Sequence, residues 1–143
     1  MVYKLVRDFL KKYPNTIAWR IKAHCNIIDK HIGEDEKILY AMTGQYNSSV
    51  ADIFNTYVIV FTNKRIMLAR KRLFFGYFFK SITPDMYNDL SVVKRIFWGN
   101  VVLDTVKEVI TISNIDAKAL PEIDRNINEI IISQRKEYGI KSK

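Results

Sequence analysis

The sequence predicts a mostly β (α+β) domain: a seven-strand antiparallel barrel or sandwich, capped by a C-terminal helix and preceded by two N-terminal helices. Apolar residues recur with helical spacing over residues 1–32 and again after Ser113. Between them lie seven short β-branched and aromatic runs with no helical stretch, which favours antiparallel strands over parallel βαβ units. A length of 143 residues suits one domain with its own core.

Two amphipathic helices are predicted in residues 1–32, an N-terminal helical extension. The first covers residues 2–13 and ends at a proline. The second covers residues 16–32 and ends at a glycine, with Asn15 or Thr16 as its N-cap. Both apolar stripes must be buried, on the barrel or on another chain. Because a barrel closed by one helix has limited room for two more, a homo-oligomer is favoured.

The seven strands are predicted within residues 33–143, the main domain. Turn signals separate them at intervals of about eight to twelve residues, as in antiparallel barrels. Asn63 tolerates a left-handed backbone and is expected to open a tight hairpin, with Lys64 and Arg65 as solvated turn residues. The expected strands are 37–45, 55–62, 65–72, 76–83, 89–97, 100–104 and 107–113.

The C-terminal helix is predicted from about residues 117–120 to Gly139, with a proline in its first turn. A single apolar stripe on this helix suits a plug for one open end of a barrel. The predicted core residues are Leu39, Ile59, Phe61, Ile66, Leu68, Leu103, Ile110, Ile112, Ile123, Ile127 and Ile130.

The sequence shows no targeting or membrane-spanning segment. The N-terminal residues lack the unbroken apolar run of about seven that a signal peptide needs, and no run reaches the roughly eighteen residues of a membrane span. The single cysteine, Cys25, suits a reducing compartment. We expect a cytoplasmic protein, either free in the cytoplasm or bound peripherally at the membrane.

We expect neither catalysis nor a bound metal or cofactor. The sequence has no Gly-x-Ser-x-Gly elbow, no Gly-rich phosphate loop and no His-Glu-x-x-His motif. His24 and His31 share a helix face, but seven residues are about 10.5 Å of helix and Ile28 lies between them, so one ion does not suit both. The acidic residues 34–36 are expected to form a solvated turn.

The net charge of +8 is concentrated in part of the chain, since residues 64–100 carry eight basic and two acidic side chains. Within it, two predicted strands meet at a hairpin tip with two phenylalanines and a basic collar. Such a tip is typical of proteins that dock on anionic bilayers, where charge attracts and aromatic rings insert. Alternatively the rings pack inside the protein or form a self-association surface. The candidate contact residues are Arg70, Lys71, Arg72, Phe74, Phe75 and Lys80.

A nucleic acid is the other anionic candidate partner. Several basic residues would form one patch if their strands adjoined: Lys64, Arg65, Arg70, Lys71, Arg72, Lys94 and Arg95. No helix-turn-helix, zinc-finger or RNA-binding aromatic signature accompanies them, and the C-terminal helix is nearly neutral. Nucleic-acid binding is therefore kept as an alternative.

Three phrases resemble the bacterial pleckstrin-homology-like (PH-like) domains, in particular the short YokE-like type. They are residues 33–39 (Gly-Glu-Asp-Glu-Lys-Ile-Leu), 61–66 (Phe-Thr-Asn-Lys-Arg-Ile) and 81–87 (Ser-Ile-Thr-Pro-Asp-Met-Tyr). The resemblance covers about residues 33–138 and implies the PH-like barrel and a binding role, with no catalytic or ligand-binding residues to carry over.

The function expected from these observations is a non-catalytic binding or assembly module of PH-like type. Its ligand would be a protein partner or an anionic membrane surface. A nucleic-acid-binding protein and a small enzyme are the rival interpretations.

Overall fold

The computed structural model describes residues 1–46 and 55–139, which form three α-helices and seven β-strands. The helices are α1 (Val2–Lys12), α2 (Ile21–His31) and α3 (Leu120–Tyr138), the last preceded by a 3₁₀ turn at Ala117–Ala119. The strands are β1 (Ile38–Tyr46), β2 (Thr56–Thr62), β3 (Ile66–Lys71), β4 (Tyr77–Ile82), β5 (Tyr87–Lys94), β6 (Trp98–Thr105) and β7 (Val109–Asp116). The predicted fold class and element order are confirmed.

All seven strands belong to one antiparallel sheet, in the order β4-β3-β2-β1-β7-β6-β5. It consists of two meanders, β1–β4 and β5–β7, joined where β1 lies beside β7. That junction is short: Gln45 pairs with Ser113, and Tyr46 with Ile112. The chain reverses from β4 to β5 without pairing them, so these two strands are the edges of the sheet.

The interior is filled by alternate residues of both meanders. Ile59 and Phe61 of β2 share one buried cluster with Leu103 of β6 and with Ile110 and Ile112 of β7. The cavity left among these side chains measures about 10 Å³, which is about the space of one water molecule. Within the part of the chain that the structure describes, the space between the two meanders is thus a packed core.

One predicted core residue is wrong. Leu39 is 45% exposed, whereas the other ten predicted core residues are buried. The pairing of β1 with β2 shifts register between Ile38 and Tyr40. Leu39 is the extra residue of this irregularity, so it does not follow the inward and outward alternation of the strand.

Helices α1 and α2 cover the outer face of the first meander. Val6 of α1 and Ile28 of α2 share a second buried cluster with Val58, Val60 and Met67 of the sheet. As a result β2 is buried at every position, on both faces. Both helices bury their apolar stripes on their own sheet, so the argument that the barrel has no room for them is wrong. The homo-oligomer that this argument favoured stays a prediction.

Helix α3 packs on the interior cluster through Ile123 and Ile127, both fully buried. Near its C-terminal end, Gln134 donates from Nε2 to the Thr62 carbonyl at 2.6 Å and accepts from the Tyr87 hydroxyl at 2.8 Å. The helix ends at Gly139, as predicted, with a left-handed φ of 85°. In the described part of the chain, α3 included, no helix combines the length and apolarity needed to cross a membrane.

The second helix begins five residues later than predicted, at Ile21. Thr16 does not cap it, because its hydroxyl accepts a hydrogen bond from the Asp116 amide at 2.9 Å. The Ile17 amide donates to the Asn114 carbonyl, also at 2.9 Å. These tertiary hydrogen bonds hold the residues before Ile21 along the end of β7, and we call residues 15–20 the strap.

The turn between β2 and β3 also differs from the prediction. Asn63 does not adopt a positive φ. The Thr62 hydroxyl organises the turn instead, accepting from the amides of Lys64 and Arg65, both at 3.1 Å. Asn63 accepts from the Lys37 amide at 2.8 Å and so ties the turn to the start of β1.

The predicted strand 89–97 runs too far. Strand β5 covers Tyr87–Lys94, and the Arg95 amide donates to the Trp98 carbonyl at 2.8 Å to close a tight hairpin. Residues 96 and 97 therefore form a turn, although their apolar character suggested a strand.

Candidate binding site at the β3–β4 hairpin

The predicted hairpin is formed by β3 and β4, which pair in regular antiparallel register up to Lys71 and Tyr77. Beyond this pair the Arg72 amide donates to the Gly76 carbonyl at 3.1 Å and closes a loop. Gly76 has a φ of 73°, a backbone conformation that costs free energy for residues with a Cβ. The sequence thus produces a hairpin whose tip is Leu73, Phe74 and Phe75.

The tip is exposed. Phe74 and Phe75 are 82% and 85% exposed, and Leu73 is about half exposed. The alternative in which the two rings pack inside the protein is therefore wrong. Two adjacent phenylalanines in water are an unusual arrangement, because large apolar side chains gain free energy when they leave it.

Basic residues surround the tip at two levels. Arg72 is exposed at the tip and its guanidinium lies 4.9 Å from the Phe78 ring centroid, while Lys71 is partly exposed on the neighbouring strand position. Arg70 lies lower: its guanidinium contacts the rings of Tyr57 and Phe78, at 5.8 and 4.9 Å. Arg70 therefore supports the hairpin, while Lys71 and Arg72 are presented to solvent.

Lys80 is separate from the tip. Its ammonium forms an ion pair with Glu108 at 2.8 Å and lies over the Tyr46 ring at 5.6 Å. Strand pairing sets Lys80 opposite Leu68, an interior residue. Of the six candidate contact residues, four lie at or beside the tip, and Arg70 and Lys80 lie at its base.

The strap adds two residues that sequence reasoning missed. Arg20 donates from Nη1 to the Arg72 carbonyl at 3.4 Å, and its guanidinium lies 5.7 Å from the ring centroid of Trp19. Trp19 is partly exposed. Both residues were assigned to a helix, and only the tertiary hydrogen bonds of the strap bring them beside the hairpin. The adjacent Trp-Arg pair is the signal in the sequence that could have drawn attention to them.

His24 holds the strap and the hairpin together. Its Nδ1 accepts from the Lys71 amide at 2.7 Å, so Nε2 carries the proton and donates to the Trp19 carbonyl at 2.9 Å. Burial lowers the His24 pKa to about 4, an effect that the Trp19 carbonyl opposes and that Arg20 and Arg70 strengthen. The neutral ring is a structural link between α2 and the base of the tip.

The remaining polar residues of α2 are held in packing roles. His31 donates from Nδ1 to the Ile27 carbonyl at 2.8 Å and stacks on Phe79 with ring centroids 3.9 Å apart. Cys25 is buried, and burial together with nearby Asp29 raises its thiol pKa to about 12. In residues 1–46 and 55–139 no group of three or more side chains suits a metal ion.

Arg65 belongs to a structural network, so its predicted place as a solvated turn residue is wrong. It binds Glu36 through Nε and Nη2, both at 3.0 Å, and donates to the His31 carbonyl at 2.9 Å. Burial raises the Glu36 pKa, but hydrogen bonds from Arg65, Thr62 and the Gly33 amide outweigh it and hold the pKa below its usual value. The Glu36 side chain is thus buried in an ion pair, so the prediction of a solvated acidic turn is wrong for Glu36, whereas Glu34 and Asp35 are exposed.

The seven basic residues of the nucleic-acid hypothesis do not form one patch along the sheet. Lys64 and Arg65 precede β3, whereas Arg70, Lys71 and Arg72 lie at its far end. Lys94 ends β5 and Arg95 follows it, and β5 is an edge strand five places from β3 in the sheet order. The strand order divides the positive charge into three groups.

A protein family and a solved structure are similar to this chain. The model of a family described as "Bacterial PH domain" matches residues 32–129. No curated protein matches the chain. Among solved structures, the pleckstrin homology domain from Shewanella amazonensis SB2B is similar, with 15% sequence identity over 75% of this chain and 81% of that chain and a TM-score of 0.45.

Proposed function

The chain belongs to the bacterial PH domain family, and we propose that it is a non-catalytic binding module that docks on an anionic membrane surface through its β3–β4 hairpin tip. A PH-like domain suggests a binding or assembly role, and the packed barrel interior directs the search for a ligand to the surface. The contact residues of this proposal are Lys71, Arg72, Phe74 and Phe75. Arg70 supports the hairpin through the Phe78 ring, and Lys80 is held in its ion pair with Glu108.

The observation that carries the proposal is the pairing of two exposed phenylalanines with Lys71 and Arg72, which form no ion pair within residues 1–46 and 55–139. No acidic residue occurs between Asn63 and Pro84. Anionic headgroups attract each basic residue near a bilayer by about 1 kcal/mol, and aromatic rings are favoured at the headgroup level. Membrane docking uses both properties of the tip at once.

The proposal is tested by sedimentation of the protein with neutral and anionic liposomes over a salt series. Attraction by basic residues weakens as salt screens it, whereas burial of the rings does not. We expect binding to anionic vesicles with a salt-sensitive and a salt-resistant component. Absence of binding to either kind of vesicle contradicts the proposal and leaves a protein partner or a nucleic acid as the candidate ligand.

Two double variants assign the components. Phe74→Ser with Phe75→Ser should remove the salt-resistant component, and Lys71→Gln with Arg72→Gln the salt-sensitive one. Lys4→Gln with Lys11→Gln makes the same change in net charge at exposed positions of α1 and is the matched control. Equal losses in the two charge variants would show attraction by net charge alone. A DNA and RNA shift assay with the same variants tests the nucleic-acid alternative.

A further inference from the structure

A second hairpin repeats the chemistry of the first. The β5–β6 turn places Ile96 and Phe97 at its tip, and these side chains are 85% and 70% exposed. Lys94 and Arg95 precede them and are exposed as well. No acidic residue occurs between Leu90 and Leu103. The molecule therefore carries two hairpin tips, each with at least two exposed large apolar side chains and two cations that are exposed or partly exposed.

A tryptophan lies beside the second tip. The Phe97 and Trp98 rings meet edge to face, with centroids 6.0 Å apart. Trp98 is partly exposed and donates from Nε1 to the Asn15 carbonyl at 2.8 Å. An indole held by one hydrogen bond next to exposed apolar and basic residues has the composition of a membrane-interface site.

The strap connects the two hairpins. At one end the Asn15 carbonyl binds Trp98, and at the other end Arg20 binds the Arg72 carbonyl. Between them the Trp19 amide donates to the Thr56 hydroxyl at 3.0 Å, so the strap is fastened to the sheet. A six-residue segment spans at most about 20 Å. Each end of this short strap therefore contacts the base of one hairpin.

We infer that the β5–β6 hairpin is a second bilayer contact, and that the two tips engage the same anionic membrane. This inference rests on the proposed function. Because both tips are exposed and positively charged, one wide anionic surface suits the two together. Two linked weak contacts bind more tightly than either alone, because the second contact forms at a high effective concentration.

The two tryptophans of the chain report on the two hairpins separately. In Trp19→Phe the fluorescence comes from Trp98 beside the second tip, and in Trp98→Phe it comes from Trp19 beside the first. Each variant is titrated with anionic vesicles whose lipids carry bromine atoms on the acyl chains. We expect quenching of Trp98 as well as of Trp19. A Trp98 signal that is unchanged in vesicles that do bind the protein overturns the inference and leaves the proposed function intact.

Affinity measurements provide the second arm. Ile96→Ser with Phe97→Ser should weaken vesicle binding by at least about tenfold, since two large side chains lose apolar burial. Combination with Phe74→Ser and Phe75→Ser should weaken it further than either pair alone. Ile132→Ser, at a 68% exposed position of α3, is the control for loss of surface hydrophobicity.

The pattern of losses distinguishes the two hypotheses. If the Ile96→Ser, Phe97→Ser variant keeps its affinity while the Phe74→Ser, Phe75→Ser variant loses it, the second contact is overturned and the proposed function is kept. Loss of affinity in both double variants supports the proposed function and the second contact. Absence of vesicle binding by the unmodified protein overturns the proposed function and the second contact with it. Circular dichroism of each variant checks that the fold is kept.

Discussion

At the scale of single residues, His24 is the best example of a side chain whose role depends on its protonation. Neutral His24 accepts from the Lys71 amide and donates to the Trp19 carbonyl, and a protonated ring cannot accept. Its pKa is about 4 in the folded protein, below the usual value of 6.5. The unfolded chain therefore binds a proton more readily between these values, and the stability that neutral His24 contributes is present above pH 6.5 and lost as the pH falls towards 4.

We predict that the free energy of unfolding falls by roughly 3 kcal/mol from this residue between pH 6.5 and pH 4. His24→Phe should abolish this part of the pH dependence and lower stability at pH 7, because two backbone groups lose their partner. Urea unfolding at a series of pH values measures both effects. His31→Gln is the control, since it removes a histidine and leaves both hydrogen bonds of His24 in place. An unchanged pH profile in His24→Phe would contradict the role assigned to the ring.

At the scale of elements, α3 closes the barrel by apolar packing and by the hydrogen bonds of one buried amide. Ile123 and Ile127 are fully buried against strands of both meanders, and Gln134 links the helix to β2 and β5. Near the start of α3, Glu122 accepts from the Tyr40 hydroxyl at 2.9 Å and pairs with Lys12 of α1. The helix is thus fastened at both ends and buried in the middle.

We predict that Ile127→Asp destabilises the protein by several kcal/mol, because it buries a charge without a partner. Ile132→Asp changes an exposed position of the same helix and should alter stability by less than about 1 kcal/mol. Thermal melts followed by circular dichroism compare the two. If Ile127→Asp melts like the unmodified protein, α3 does not close the barrel.

At the scale of the whole molecule, the first meander is a middle layer between the interior core and the N-terminal helices. Alternate residues of β2 and β3 point into the barrel and towards α1 and α2. Residues 1–32 were predicted as an extension to a domain at 33–143. We propose that they nevertheless fold with the barrel as one cooperative unit, since they cover one face of its central strands.

We predict that Val6→Asp destabilises the whole protein, because Val6 is fully buried between α1 and the sheet. Leu5→Asp, at a partly exposed position one residue earlier, should be tolerated. Denaturant unfolding followed by both far-ultraviolet circular dichroism and tryptophan fluorescence tests cooperativity. Two separate transitions would show that the helices and the barrel unfold independently.

Sequence patterns determined the fold class, the element order and ten of the eleven predicted core residues, because period-2 and helical spacing record which side of an element is buried. They also located the β3–β4 tip. Exposure of Phe74 and Phe75, the strap beside the hairpin and the second tip at Ile96 and Phe97 were decided only by tertiary structure. The sequence does not distinguish an apolar residue in a core from one at a hairpin tip. The strap is held by hydrogen bonds to distant strands, so its residues show no periodic pattern. Contacts between residues far apart in the chain, such as Asn15 with Trp98 and Arg20 with Arg72, make those distinctions.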